Sequence, residues 1–198
     1  MILLDPDLDP DPTPNADSAK RNGALGFDRY LELPSTRSLA RYLTDAQTAV
    51  RLRGQVTVLL TSDSALRSLN RRFRGKNKPT DVLSFPASEL VQDQKKSQER
   101  IAGDLAISVP TARRQAAEQG HTLSVELRVL ILHGLLHLAG YDHEADAGQM
   151  NRRERQLRSR FGLPQGLIER ATRPKARPTA GGSIERTARK PTAKAGKR

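Results

Sequence analysis

Hydrophobic and polar residues follow one another in this chain with two periods, one typical of strands and one typical of helices. Runs of β-branched and aliphatic residues with strand length occupy residues 55–61, 81–85 and 101–108, after a very short first strand at the N-terminus. Apolar residues at helical spacing predict helices over 35–51, 63–72, 124–139 and 144–161, and one more between Ser108 and Gly120. Since strands and helices do not alternate regularly, we predict an α+β fold with a small mixed sheet packed against helices.

The helix over 124–139 differs from the others because it is apolar nearly all round. Such a helix is buried at the centre of a fold, where it forms the floor of a site. The helix over 63–72 is predicted to be capped by Asp63, and the last helix turns Met150, Leu157 and Phe161 inward. The pattern therefore places one buried helix among amphipathic ones.

Two terminal segments lack the apolar content of a folded domain. Residues 5–22 alternate Asp and Pro before becoming small and polar, and residues 171–198 are mostly Lys, Arg, Pro, Ala, Thr and Gly. We predict that residues 1–22 form a short strand plus a disordered insert, and that 171–198 form a disordered basic tail. The domain would then span 23–170, with a polar surface loop over 88–100.

Composition and charge narrow the class of partner. The chain has 198 residues, a net charge of +12 and no cysteine, so a transition-metal site must use histidine and carboxylate ligands. Residues 23–170 carry +7 and the tail +8, offset by −3 in residues 1–22. This excess favours a polyanion such as nucleic acid, with solubility as the other explanation for the tail. With no signal peptide or membrane-spanning run, we expect a cytoplasmic protein without a membrane partner.

Three of the four histidines lie within eleven residues, at His133, His137 and His143. Positions four apart share one face of a helix, so the first two project side by side. Gly140 is a typical place for a helix to end, after which the chain can turn and bring the third histidine back. Three imidazoles with an open fourth position describe a catalytic zinc site, although nickel and copper also accept three nitrogens.

Position 134 argues against one class of metal enzyme. Zinc proteases carry a glutamate general base directly after the first histidine, and this chain has Gly134 there. A peptidase-like hydrolase stays as one alternative because of the ligand spacing. A non-catalytic RNA-binding module with a structural metal is the other.

A basic turn precedes the second strand-like run. Arginine offers a fork of donors suited to phosphate, and Arg74 stands here with Lys76 and Lys78. A solvated basic turn is the simpler interpretation of these residues alone. Asp81 would hold a local backbone or basic partner, and Asp142 would support a histidine from outside the ligand set.

Taken together, these motifs resemble those of the YbeY family of bacterial endoribonucleases and ribosomal RNA maturation factors. The family pattern H-G-x-L-H-L-x-G-Y-D-H is met from His133 to His143, and an arginine-glycine-lysine turn leading into P-T-D-V-L-S-F-P is met from Arg74 to Pro86. A G-D-[IL]-x-I-S strand is similar to Gly103–Ser108. The resemblance runs roughly from Leu31 to Leu167 and leaves out the acidic insert and the tail.

The resemblance implies one Zn²⁺ per chain on His133, His137 and His143, and it assigns the family's functional arginine to Arg74. Arg74 is then catalytic and binds substrate, together with Lys76 and Lys78. The implied activity is cleavage of single-stranded RNA, in maturation of the 3′ end of small-subunit (16S) ribosomal RNA and in ribosome quality control. Implied partners are the ribosome, small-subunit ribosomal proteins and a ribosome-assembly GTPase.

The residues leave the nucleophile and the general base open. The metal would polarise a phosphoryl oxygen or supply hydroxide, while Arg74 would stabilise the charge that develops on phosphate. Gly134 cannot accept a proton, and the attacking group is either hydroxide or the 2′-hydroxyl of the RNA.

Overall fold

The computed structural model describes residues 1–8, 32–87 and 100–164, and within them the predicted α+β class is confirmed. In chain order the elements are β1 (Ile2–Leu4), α1 (Thr36–Val50), β2 (Gln55–Thr61), α2 (Asp63–Arg74), β3 (Val82–Pro86), β4 (Ile101–Ser108), α3 (Val109–Gln119), α4 (Leu123–Leu138) and α5 (Gln149–Phe161). The predicted acidic insert, basic tail and most of the 88–100 loop lie outside the described residues.

The described strands form one mixed sheet in the order β1-β2-β4-β3. β1 and β4 both run parallel to β2, whereas β3 runs antiparallel to β4. Leu105 lies at the centre of the sheet, opposite Val58 of β2 and Ser84 of β3. The sheet is therefore small enough for a single helix to cover its middle.

The two faces of the sheet carry cores of different size. Leu105 and Ile107 belong to the larger core, which also includes the buried residues of α1 and α4. Ala106, which points to the other face, packs with Leu83 and with Leu66 of α2 in a smaller cluster. The alternation along β4 thus separates α2 from the central helix.

Helix α4 is the centre of the fold, as its apolar sequence predicts. Most of its residues are buried, and it packs against α1, α3, α5, β3 and β4. None of the described helices combines the length and the apolar character that a bilayer crossing needs. A buried helix with this many neighbours holds its side chains in fixed positions.

Two helix starts differ from the prediction. Ser62, not Asp63, caps α2, because its hydroxyl accepts the Ala65 N–H at 3.3 Å. Asp63 instead accepts hydrogen bonds from Thr111 at 2.7 Å and Arg114 at 3.0 Å, so that it joins α2 to α3. A carboxylate in the first turn of a helix also interacts favourably with the positive end of the helix dipole.

Helix α5 begins at Gln149 and not at residue 144. The Asp146 carboxylate accepts the backbone N–H groups of Gly148, Gln149 and Met150 at 2.7–3.0 Å. These are donors that a helix start leaves without an intrahelical partner. Residues 143–148 form turns and bends before this point, which leaves room for His143 to approach α4.

Candidate metal centre and catalytic cleft

Helix α4 carries two histidines whose ring nitrogens face the same point. Their positions four residues apart bring His133 Nε2 to 3.1 Å from His137 Nε2. His133 is buried, whereas His137 is half-buried. Since α4 is packed on several sides, this pair is held in place by the core.

The turn after α4 brings the third histidine to the first two. Gly140 has φ 89°, a left-handed conformation that glycine adopts without a steric penalty, and the Tyr141 N–H returns to the Leu136 carbonyl at 3.0 Å. The His143 ring centroid is then 5.4 Å from that of His133 and 5.3 Å from that of His137. One nitrogen of each ring lies within 4.8 Å of the others, so the three predicted ligands form one cluster.

Burial keeps His137 in the neutral form that a metal ion binds. Its pKa falls from 6.5 to about 4, first because burial penalises the charged ring and then because His133 and His143 lie beside it. Asp142 and a hydrogen bond with the Tyr141 backbone act in the opposite direction. At neutral pH this ring therefore offers a lone pair.

A buried carboxylate that the sequence analysis did not predict supports His133. Glu154 of α5 is fully buried, and its Oε1 lies 3.2 Å from His133 Nδ1. This contact leaves Nε2 directed towards the cluster, an arrangement common behind metal-binding histidines. The sequence carried an indication, because Glu154 lies on the inward face of α5 between Met150 and Leu157.

The donor set fits a zinc ion. Two ligands about 2.0–2.1 Å from a tetrahedral zinc are about 3.3 Å apart, close to the 3.1 Å between His133 Nε2 and His137 Nε2. Three neutral imidazoles leave a fourth position for a water molecule or a substrate oxygen. Among the described residues the cluster consists of the three histidines alone.

The cluster opens into a cleft of about 430 Å³ that also contains the predicted arginine. Arg74 is the last residue of α2 and not part of the turn, and its side chain lines this cleft with His137 and His143. Ser84 and Pro86 of β3 form another part of the wall. The arginine and two of the three imidazoles, which come from opposite faces of the sheet, thus line a single space, with His133 buried behind them.

Comparison with known proteins identifies the family. The model of the family described as Endoribonuclease YbeY matches residues 30–162. The chain belongs to the YbeY endoribonuclease family. It is 54% identical over 140 residues to the Endoribonuclease YbeY of Koribacter versatilis, covering 71% of this chain and 86% of that protein. The Endoribonuclease YbeY of Solibacter usitatus is 46% identical over 153 residues, covering 77% of this chain and 97% of the relative.

A solved structure is also similar to this YbeY-family chain. It is the solution structure of a Thermotoga maritima protein, 28% identical in sequence. The alignment covers 66% of this chain and 86% of that one, with a TM-score of 0.44.

The basic turn of this YbeY-family protein is braced from α2. Asn70 is buried, and its side-chain amide donates to the Lys78 carbonyl at 2.8 Å. Its backbone carbonyl accepts the Lys76 N–H at 3.3 Å. The side chains of Lys76 and Lys78 are exposed and do not line the histidine cleft. They remain predicted substrate contacts.

The two aspartates predicted to support the site differ in what they contact. Asp81 accepts the Val82 N–H at 2.8 Å and the Gln115 side-chain amide at 2.9 Å, which anchors the start of β3 to α3. Asp142 lines the cleft, and its Oδ1 accepts the Glu144 N–H at 3.0 Å. Glu144 is a second carboxylate on the wall of the cleft that sequence reasoning did not identify.

Packing accounts for the glycine at position 134, in addition to the chemical argument against a protease. A Cβ atom at this position would lie 2.7 Å from Leu105 Cδ2, closer than atoms in contact can be. The residue after the first histidine therefore points at β4 and away from the cleft. A protease-type glutamate has no room at this position.

Proposed function

We propose that the chain is a metal-dependent endoribonuclease that cuts single-stranded RNA, and that it acts in the cytoplasm on the 3′ end of small-subunit ribosomal RNA and in ribosome quality control. The observation that carries the proposal is the single cleft lined by Arg74, His137 and His143. An arginine beside a cluster of metal-binding histidines suits phosphodiester cleavage, because both stabilise negative charge on phosphate oxygens. Membership of a family of endoribonucleases supports the same reaction.

The cofactor in this proposal is one Zn²⁺ held by His133, His137 and His143. It would supply Lewis-acid stabilisation of the reacting phosphate and activation of a water molecule. Glu154 and the Tyr141 backbone orient two of the ligand rings from behind. Burial keeps His137 neutral and ready to bind the ion.

Arg74 would hold the scissile phosphate through its guanidinium group and stabilise the charge that grows there. Its place at the end of α2, braced by the turn that Asn70 holds, limits the number of positions its side chain can take. A flexible single strand can place one phosphodiester in a cleft of this size. A duplex presents its phosphates on a rigid surface, which supports the preference for single strands.

Two carboxylates are available to accept a proton. The Asp142 Oδ1 already accepts the Glu144 N–H, whereas the Glu144 carboxylate makes no hydrogen bond within the described residues. We assign proton acceptance to Glu144 and the support of the turn to Asp142. Glu144→Gln should then lower the cleavage rate by about 10²- to 10⁴-fold without loss of metal. Asp142→Asn should lower the melting temperature, and it should lower the cleavage rate less than Glu144→Gln does.

Metal analysis and RNA cleavage by the same preparations test the site. We expect one zinc per wild-type chain, loss of both metal and cleavage in His137→Ala, and a cleavage rate about 10²- to 10³-fold lower in Arg74→Gln with metal retained. Arg71→Gln is the matched control, since Arg71 is an exposed arginine of the same helix that lines a neighbouring pocket. Wild-type rates in both His137→Ala and Arg74→Gln would overturn the assignment.

The ends of the products identify the nucleophile. If the 2′-hydroxyl attacks, the products carry a cyclic phosphate and a 2′-deoxy substitution at the cut prevents cleavage. If water attacks, that substitution is tolerated. The comparison of single-stranded with duplex substrates in the same assay tests strand preference.

The ribosomal role is tested in cells. Depletion of the protein should cause small-subunit ribosomal RNA with an extended 3′ end to accumulate, and wild type but not Arg74→Gln should restore processing. Co-purification with small-subunit ribosomal proteins and a ribosome-assembly GTPase would identify the partners. Normal 3′ ends after depletion would contradict this role. They would not contradict the nuclease activity, which the assays above test separately.

A further inference from the structure

A second basic pocket lies between α1 and α4, separate from the histidine cleft. It has a volume of about 470 Å³ and shares no lining residue with the cleft. Arg128 of α4 lines it, nine residues before His137. Nine residues are two and a half helical turns, so the two side chains point to opposite faces and are separated by about 13 Å along the axis. A group bound in this second pocket, which we call the Arg128 pocket, is therefore not the phosphate that lies in the cleft.

The charge of the Arg128 pocket favours an anion. Arg37 and Arg41 are exposed and one turn apart on α1, and Arg128 faces them from α4, whereas Asp45 is the only carboxylate among the lining residues. Arginine presents several N–H donors in a plane and is well suited to phosphate. The pocket also lies at the N-terminal end of α1, which Ser35 caps, and the helix dipole there adds to the attraction.

Buried donors on the pocket floor point to a ligand more directly. Tyr42 is only 7% exposed, and neither its hydroxyl nor the Arg128 Nε has a hydrogen-bond partner within the described residues. The Arg128 guanidinium lies 5.6 Å from the centre of the Tyr42 ring, and its other end donates to Ser38 Oγ at 3.5 Å. An unsatisfied buried donor destabilises the fold, and both of these donors belong to residues that line the pocket. Both atoms are covered in this arrangement, so an oxygen-rich anion would accept hydrogen bonds from them once the Arg128 side chain turns towards the pocket.

Burial also keeps the Tyr42 hydroxyl a donor. It raises the pKa of this group far above its ordinary value, although the Arg128 charge acts in the opposite direction. The hydroxyl therefore stays protonated throughout the neutral range. A protonated hydroxyl can donate to phosphate oxygens, whereas its ionised form would repel them.

We propose that the Arg128 pocket binds a phosphate group, presented by a free mononucleotide or by a stretch of the RNA away from the cut. Its volume is sufficient for a mononucleotide. Only the RNA source rests on the proposed nuclease function; binding of a free mononucleotide stands independently of it.

A nucleoside 5′-monophosphate is the first probe, titrated by calorimetry into full-length Arg74→Gln protein so that the cleft lacks its phosphate contact. We expect the monophosphate to bind and the matching nucleoside to bind at least 10-fold more weakly. The change Arg41→Gln/Arg128→Gln should weaken monophosphate binding by about 10- to 100-fold. Arg53→Gln, the loss of one exposed arginine after α1, is the control and should bind as its parent does.

Tyr42→Phe separates a ligand site from a merely structural hydroxyl. Without ligand, the melting temperature should stay the same or rise, because the variant lacks an unsatisfied buried group. Monophosphate binding should weaken several-fold. A lower melting temperature with unchanged binding would show that the hydroxyl has a structural partner and would count against the site.

A 2′-O-methyl oligoribonucleotide distinguishes the two sources of phosphate. Binding of the oligomer alone that depends on Arg41 and Arg128 would identify RNA as the source, and binding of the monophosphate would identify a free nucleotide. Equal binding of both probes by the Arg41→Gln/Arg128→Gln variant and its parent, or no binding of either by the parent, would overturn the proposal. If Arg128→Gln does not fold, the exposed pair Arg37→Gln/Arg41→Gln gives the same test. Retained monophosphate binding in His137→Ala would show that the pocket works without the metal site.

Discussion

Residues of one type have different roles in this protein according to what surrounds them. The fourth histidine, His121, lies beside the buried Glu126, with no other described histidine in its cluster. His133 is also beside a buried glutamate, Glu154, but its second ring nitrogen faces His137. A carboxylate therefore lies beside both His121 and His133, and what distinguishes the candidate metal centre is that the ring nitrogens of three histidines converge.

Removal of the charge behind His133 should weaken metal binding without removing a ligand. We expect Glu154→Gln to lower zinc affinity by about 10- to 100-fold, because the neutral amide no longer fixes the ring or increases its basicity. Competition with a chromogenic chelator measures the change. Glu118→Gln, an exposed carboxylate on α3, is the matched control and should retain wild-type affinity. Equal affinities for Glu154→Gln and wild type would show that packing alone orients His133.

The lowered pKa of His137 predicts how the metal-free protein responds to acid. The ring titrates near 6.5 in the unfolded chain and near 4 in the folded one. Between these values the unfolded state binds more protons, so the free energy of unfolding should decrease as the pH is lowered from about 6.5 to about 4. Urea unfolding in the presence of chelator, repeated across this range, measures the slope. His137→Gln should show a shallower slope, and parallel profiles would contradict the prediction.

At the scale of elements, the close approach of α4 to β4 positions the candidate metal centre. Gly134 lies against Leu105, and the Ser84 hydroxyl donates to the Gly134 carbonyl at 3.4 Å. A helix that crosses a sheet this closely leaves no space for a side chain at the contact. The same contact places His133 and His137 at the level of β3, whose Ser84 and Pro86 line the cleft.

A methyl group at this contact should therefore destabilise the protein. We expect Gly134→Ala to lower the free energy of unfolding by about 1–3 kcal/mol, because Leu105 must move within a packed core. Denaturant unfolding of Gly134→Ala, Leu105→Val and the double variant measures the coupling. The double variant should be less destabilised than the sum of the single changes. Additive effects would indicate that the strain is relieved elsewhere.

At the scale of the whole molecule, we expect different charges to attract the substrate and to take part in its cleavage. Arg74 lies in the cleft, whereas Lys76 and Lys78 lie outside it on the exposed turn. Charges on an exposed turn attract a polyanion to the protein without contacting the reacting atoms. Their removal should affect binding and leave the chemical step unchanged.

Salt dependence tests this separation. We expect Lys76→Gln and Lys78→Gln each to weaken RNA binding regardless of sequence and to reduce the slope of log affinity against log salt by up to about 1. The single-turnover cleavage rate at saturating RNA should stay the same. Fluorescence anisotropy at several salt concentrations measures the slope, and Arg53→Gln serves as the control. A lower single-turnover rate would instead place these lysines at the reacting phosphate.

The sequence by itself determined the features that depend on local spacing. The fold class, the buried central helix, the glycine that ends it and the three clustered histidines follow from patterns of apolar residues and from separations of four and ten positions. Two helix starts differ from the prediction, because Ser62 and Asp146 accept the backbone donors at those starts. The clustering of the three candidate metal ligands could be predicted because two of them share a helix and the third follows the turn.

Only the tertiary structure decided which residues that are distant in the sequence lie next to one another. Glu154 reaches His133 across 21 positions, Arg74 enters the cleft from a helix on the other face of the sheet, and Tyr42 meets Arg128 across 86 positions. No local period encodes such contacts, because they depend on how α4 packs against its neighbours and on the order of the strands. The sequence identified the three histidines that cluster, and the packing around α4 determined what lies next to them.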